Sequence, residues 1–281
     1  YGDHRDLHKE YRRQRQMCIR DSVKTVFEFN EEPYEPNNYG EKFYGPITLR
    51  MALTKSLNVA TVKFAEMIGW EKVVDLALSA GLNEKILATP AVALGAYEVT
   101  PLEMAGAFTI FANRGTMVEP QFIKQVVDRN DAILFESEVL ANNVLDPRIA
   151  YMMTNLMSGV MNRGTGVRAR RLGFQLPAAG KTGTSHDGWF SGYTQGLLCI
   201  VWVGFDDYRE LNLEGAASAL PIWTEFMKKA TKLHPWLAED EFEEPNEGMI
   251  RPSDISIMSA TTAEDVGPAP APLPSYIVVP T

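Results

Sequence analysis

Between residues 46 and 163 apolar side chains recur mostly at three- and four-residue intervals, the period of one helix face. Leu49, Ala52, Leu53 and Leu57 form a first stripe, and Pro46 stands where it suits an opening helical turn. Ala60, Phe64, Met67 and Ile68 form a second stripe immediately after it. Ser56, Leu57 and Asn58 therefore fall on a junction of two predicted helices, where Ser and Asn are natural capping residues. A third helix is expected from about Glu71 to Ala80, with Gly81 as its left-handed stop. Thr100, Pro101, Leu102 and Glu103 spell a capping box for a helix reaching about Asn113, and Asp146 with Pro147 opens another through Met161. This whole stretch reads as predominantly helical. Past Arg163 the pattern changes to short β-rich runs, predicting consecutive antiparallel strands over Lys181–Thr184, Trp189–Tyr193 and Leu197–Val203. A helix from about Leu220 to Lys232 closes the domain.

The flanks read differently. Residues 1–22 carry six Lys or Arg against four Asp or Glu and almost no apolar side chains. They fit a basic solvated arm or, as the preferred reading, a tag or assembly scar outside the fold. The domain proper is placed at 23–235, with the stretch from Ser22 to Tyr44, acidic and Pro- and Asn-rich from Glu31 to Asn38, read as surface loop. Residues 236–281 turn acidic and then Pro-Ala-rich, the composition of an extended tail.

Charge narrows the function classes. A net charge of −9 and a pI near 5.1 argue against a general nucleic-acid binder, which needs clustered cations for phosphates. The two cysteines supply neither a disulfide framework nor metal-ligand spacing, and Cys199, in an apolar run, reads as a buried thiol. The histidines are too scattered for a metal constellation, and neither a metal nor a cofactor is expected. No run of eighteen apolar residues predicts a membrane span.

The chemistry is concentrated at two places 125 residues apart, Ser56-Leu57-Asn58 and Lys181-Thr182-Gly183-Thr184. Lysine, two hydroxyls and a glycine on a strand edge offer a cation, donors and exposed backbone N–H groups, a set suited to a carboxylate-ended peptide. The N–H of Thr184 can form half an oxyanion hole, a donor worth about 3–4 kcal/mol of barrier in acyl transfer. Ser56 can relay a proton and Asn58 can hold an amide. Taken singly, each motif can equally be a helix cap or an ordinary edge strand. Together they are two of the three motifs of serine acyltransferases, whose third, Ser-x-x-Lys, holds nucleophile and base. None of the twelve serines has Lys three positions on.

Rival motifs fail on the same letters. Gly180-Lys181-Thr182 imitates the end of a phosphate-binding loop, but Gln175 stands where that loop needs glycine. Ser185, His186 and Asp187 have the residue types of a hydrolytic triad, yet neighbours along a strand cannot converge, so His186 reads as a rim residue. Arg163-Gly164-Thr165-Gly166 reads as a turn near the site.

With these motifs in order, the chain resembles the transpeptidase domain of class A penicillin-binding proteins over about residues 26–232. The resemblance extends through Tyr34 to Asn38, Gly45 to Arg50, Leu94 to Ala96, Val99 to Met104, Trp189 to Thr194 and Val201 to Asp206. It implies an α+β fold of the β-lactamase/transpeptidase type, an antiparallel sheet flanked by helices with a helical subdomain bearing Ser56 and Asn58. By position it makes Ser56, Asn58 and Lys181 catalytic and gives Thr182, Gly183 and Thr184 to substrate binding. The implied partners are D-Ala-D-Ala stem peptides of peptidoglycan and, in the intact parent, β-lactams. It further implies a parent anchored at the extracytoplasmic face of the bacterial inner membrane and fused to a glycosyltransferase. On this reading the nucleophile, anchor and glycosyltransferase precede Tyr1, the N-terminal part of the domain is missing, and the chain alone is inactive. The alternatives are a noncatalytic peptide-binding module and a hydrolase of the DD-carboxypeptidase or β-lactamase type.

Overall fold

The computed structural model describes residues 18–21, 24–238 and 241–245, so the basic arm up to residue 17 and most of the expected tail lie outside the described residues. The fold is α+β. Its centre is a three-stranded antiparallel sheet of β9 (Ala179–Thr184), β10 (Gly188–Tyr193) and β11 (Leu198–Val203), in the order β11-β10-β9. Lys181 stands opposite Ser191, and Thr184 opposite Gly188. These are the three strands expected from the sequence, and β9 is left as an edge.

Among the described residues there are six longer α-helices and a single α-helical turn, Arg168–Arg171; in chain order all are numbered α1 to α7. The closing helix α7 (Ala219–Leu233) turns Leu220, Trp223 and Met227 inward against Phe190, Phe174 and Met161, all fully buried. Trp223 meets Phe190 and Phe174 edge-on, with ring centroids 4.9 and 5.3 Å apart, and its indole N–H donates to the Gly192 carbonyl at 3.2 Å. Helix α5 (Pro147–Arg163) packs on β9, burying Met157 with Ala179 and Tyr193. Tyr193 satisfies its buried hydroxyl on Thr154 at 2.7 Å, and burial raises its pKa well above the usual phenol range. Leaving that hydroxyl unpartnered in the interior would be costly. Burial likewise pushes the Cys199 thiol up to about 12.

The first two helices form the second wall. Helices α1 (Leu49–Lys55) and α2 (Asn58–Ile68) bury Ala52, Leu57 and Ala60 together with Ile47. Helix α3 (Trp70–Ser79) ends as expected before Gly81, whose φ is +83°. Helix α4 (Pro101–Ala112) opens on the predicted capping box: Thr100 accepts from Glu103 N–H, and Glu103 accepts from Thr100 N–H. The single turn is α6. Among the described residues, no helix is long and apolar enough to cross a membrane.

Three local expectations are corrected. Pro46 opens no helix; it lies in a strand, β4 (Gly45–Thr48), paired with β1 (Cys18–Asp21), and the helix starts at Leu49 with the Thr48 hydroxyl accepting from Met51 N–H. A two-stranded sheet has only edges, where a proline without N–H is tolerated. Within the expected surface loop, β2 (Phe27–Phe29) and β3 (Glu32–Tyr34) form a hairpin, and Asn38 is 3% exposed. The predominantly helical stretch is interrupted by β5 (Thr116–Val118), β6 (Gln125–Val127), β7 (Ile133–Glu136) and β8 (Ala141–Asn143). Strands of three or four residues are too short to print a readable alternation. The turn of the β6–β7 hairpin is set by Asp128, whose carboxylate accepts from the N–H groups of Asn130 and Ala132.

Candidate active site

The helix corner and the sheet edge predicted to carry chemistry meet in space. At the end of α1 the chain closes with Leu57 N–H on the Ala52 carbonyl (2.9 Å), which places Ser56 in the left-handed region at φ +55°. Glycine normally fills that position; a serine there stores local strain, a feature that concentrates at functional sites. Opposite, Lys181 projects from β9 and donates to Ser56 Oγ at 2.7 Å. It also donates to the Thr182 carbonyl at 2.8 Å, its long stem letting the ammonium return to its own strand. Lys181 keeps partial exposure as a residue, but its ammonium is enclosed between the two walls, and burial lowers its pKa from the ordinary lysine range to about 8.

Asn58 begins α2 and donates its amide to the Asn37 carbonyl at 2.8 Å, which fixes the amide's orientation. Neither Ser56 nor Asn58 acts as the side-chain cap its type suggested. The cap of α2 comes from the preceding loop, where Asn38 Oδ1 accepts from Val59 N–H at 3.1 Å and its amide donates to the Lys42 carbonyl. The side chain of Asn38 thus ties the loop to the corner beside Asn58.

On β9, strand alternation puts Thr182 and Thr184 on one face. Thr182 is 8% exposed, and its hydroxyl lies 2.6 Å from that of Thr165. Thr184 is exposed, and its hydroxyl accepts from Gly215 N–H at 3.0 Å. Gly183 leaves no room for a side chain, since a Cβ there would stand 3.0 Å from Trp189 Cβ across the strands. Its glycine is accounted for by that cross-strand packing as well as by ligand approach. At the rim, Tyr39 donates to the Glu214 carboxylate, which raises its own pKa. His186 sits in the exposed β9–β10 turn, 3.6 Å from Glu210, and Asp187 accepts from the Trp202 indole instead, so the three adjacent triad-like residues do not converge.

A model of the penicillin binding protein transpeptidase domain matches residues 21–209. The chain belongs to that family. Penicillin-binding protein 1A of Aquifex aeolicus is 37% identical over 243 residues, covering 84% of this chain and 32% of that protein. Penicillin-binding protein 2D of Bacillus subtilis is 34% identical, covering 82% and 34%. The chain thus spans about a third of the length of the curated relatives it matches. Among solved structures, penicillin-binding protein 1A of Haemophilus influenzae superposes with a TM-score of 0.73 at 24% identity, covering 81% of this chain and 40% of that one. The PonA1 protein of Mycobacterium tuberculosis in complex with penicillin V superposes at 0.68 and 21% identity, covering 87% and 70%. These superpositions give the chain the transpeptidase fold.

Of the six residues singled out in the sequence, this penicillin-binding fold brings Lys181 into contact with Ser56, sets Asn58 at the start of α2 beside Ser56, and carries Thr182, Gly183 and Thr184 along β9 after Lys181. The sequence did not single out Thr165, Asn38 or the Gly215 backbone. Thr165 stood in a turn already read as near the site. Asn38 lay in text that composition alone assigns to a loop. Gly215 contributes only a backbone N–H, for which sequence carries no side-chain signal.

Proposed function

We propose that this chain forms the peptide-gripping and proton-relaying part of a DD-transpeptidase, which cross-links peptidoglycan stem peptides by serine acyl transfer. One observation carries the reading: the 2.7 Å contact between Lys181 and Ser56, which come from chain regions 125 residues apart, one on a strand edge and one at a helix corner. The amine lowered by burial holds its proton less firmly than an ordinary lysine, so passing that proton on near neutral pH meets a smaller penalty. Ser56 gives its hydroxyl proton to the departing D-alanine nitrogen and takes one from Lys181, and burial favours the neutral amine left behind. The Thr182 and Thr184 hydroxyls donate to the terminal carboxylate of the stem peptide, with the Lys181 charge close by, and Asn58 holds the donor's amide.

The attacking serine of this chemistry belongs to a Ser-x-x-Lys motif, which these 281 residues do not contain. The reading therefore gives the chain recognition and relay, and leaves acylation and β-lactam trapping to the intact parent. That parent is a membrane-anchored enzyme at the extracytoplasmic face of the inner membrane, joined to a glycosyltransferase.

The test is an NMR titration of the chain with a short peptide ending in D-Ala-D-Ala. Shifts at Lys181 to Thr184 and at Asn58, absent with an L-Ala-L-Ala ending, are expected. Shifts elsewhere, or none, defeat the reading. A fluorescent penicillin is expected to leave no covalent band on the chain, and a band would place the nucleophile within it.

A further inference from the structure

Thr165 occupies a position that its neighbours leave little choice about. It lies between Gly164 and Gly166, both wedged against other backbone: a Cβ on Gly164 would come within 2.2 Å of the Thr54 carbonyl oxygen, and one on Gly166 within 3.3 Å of the Val160 oxygen. From this turn Thr165 N–H reaches the Thr54 carbonyl at 3.3 Å, two residues before Ser56 on α1. Its hydroxyl reaches Thr182 Oγ1 at 2.6 Å on β9. One residue is thereby hydrogen-bonded to both sides of the Ser56–Lys181 contact, by backbone to the helix that ends in Ser56 and by side chain to the strand that carries Lys181.

Either hydroxyl of the pair can be the donor, and the two directions leave Thr182 with different chemistry. A hydroxyl has one proton to give and two lone pairs to receive with. If Thr182 donates to Thr165, its proton is spent inside the protein and a carboxylate facing it meets only lone pairs. If Thr165 donates, a Thr182 lone pair is occupied and its proton is left for an acceptor in the groove. Thr184 shows the same logic with a fixed donor, because a backbone N–H, that of Gly215, can only donate. Thr184 is thus supplied with a donor from behind, and Thr182 is supplied in the same way when Thr165 is the donor of the pair.

We infer that Thr165 is a positioning residue which, by donating to Thr182, makes that hydroxyl a donor to the carboxylate of a peptide C-terminus. The inference deepens the proposed function and rests on it for the identity of the ligand. It assigns Thr165 to carboxylate discrimination, not to the chemistry of acyl transfer.

The experiment uses the full chain and two peptides, one ending in D-Ala-D-Ala with a free carboxylate and the same peptide amidated. Thr165→Val keeps the shape and removes the hydroxyl. It is expected to weaken binding of the free-carboxylate peptide about tenfold, since the lost contact is charge-assisted, and to leave the amidated peptide unchanged. Thr165→Ser is expected to restore most of the loss. Equal weakening for both peptides would show a merely structural role and overturn the inference, as would no change or a failed rescue by serine. If Thr165→Val loses its cooperative unfolding transition, Thr165→Ala, which adds no atoms, carries the same comparison. In parallel, side-chain couplings of Thr182 in the free chain should report one rotamer in the wild type and Thr165→Ser, and averaging in Thr165→Val. If the wild type binds neither peptide, the DD-peptide reading fails, and the rotamer of Thr182 still decides whether Thr165 positions it; an unchanged rotamer overturns the inference.

Discussion

The α7–β10 face and the β6–β7 hairpin are about equally apolar in sequence and opposite in fate. On α7 and β10, Trp223, Phe190, Leu220 and Met227 are all excluded from solvent. On the hairpin, every residue of β6 and β7 is exposed, including Leu134 at 67% and Phe135 at 50%. Burial was decided by what each strand finds beside it. β10 has a strand on either side and helix α7 across one face, whereas among the described residues the hairpin strands pair only with each other. The Lys181–Ser56 contact is built on the first kind of surface, a sheet backed by helices, which can hold a lysine and two threonines in one geometry. A lone two-stranded ribbon is marginal by itself in water.

The largest test of this contrast is Trp223→Ala. It empties the space between Phe190 and Phe174 and should cost about 3–5 kcal/mol in denaturant unfolding; a loss under 1 kcal/mol would mean the face is not close-packed.

A second test concerns the charge held by this packed region. Because burial depresses Lys181 to about 8, the unfolded chain holds a proton on this amine across the interval from about 8 to the ordinary lysine value of about 10.4, and the folded chain does not. Stability from this group is therefore gained as pH rises through that interval and lost as pH falls toward 8. Cys199 opposes it, since its raised thiol pKa makes the folded state weaker as the unfolded thiol ionises. The difference between wild type and Lys181→Met removes the cysteine contribution. That difference should change by on the order of 2 kcal/mol between pH 8 and 9.5, in favour of the wild type at the higher pH. A flat difference in urea midpoints would place the ammonium in water.

Gly164→Ala comes next. The added Cβ meets the Thr54 carbonyl, which is backbone and cannot swing away, so a loss of about 1–3 kcal/mol is expected; a neutral result would show that the turn is not wedged against α1. The smallest effect belongs to the hairpin, where Leu134→Ser should shift stability by no more than about 0.5 kcal/mol. A loss above 1 kcal/mol would mean that the hairpin is covered in solution, and the comparison would then collapse.

Legibility followed the same division. The three strands β9, β10 and β11, the capping box at Thr100 and the helix after Asp146 were readable because long or strongly marked patterns print themselves on neighbouring residues. The hairpins at 27–34 and 125–136 were not, because three-residue strands leave too few positions for a period to show. Ser56 and Asn58 were correctly placed at a helix junction, but their capping role was not, because Asn38 approaches from a loop that the sequence does not connect to α2.

The long helices, the three central strands, the two motifs and the lack of a Ser-x-x-Lys in these residues could all be read directly from the letters, because each depends on residues close along the chain. It took the folded arrangement to bring Lys181 within 2.7 Å of Ser56, to set Thr165 behind Thr182, and to make one apolar strand core while another faces water. The physical reason is range. Capping and periodicity act within a few residues, whereas hydrogen bonds between walls and the lowering of an amine's pKa depend on which surfaces fold against each other, information spread over the whole chain.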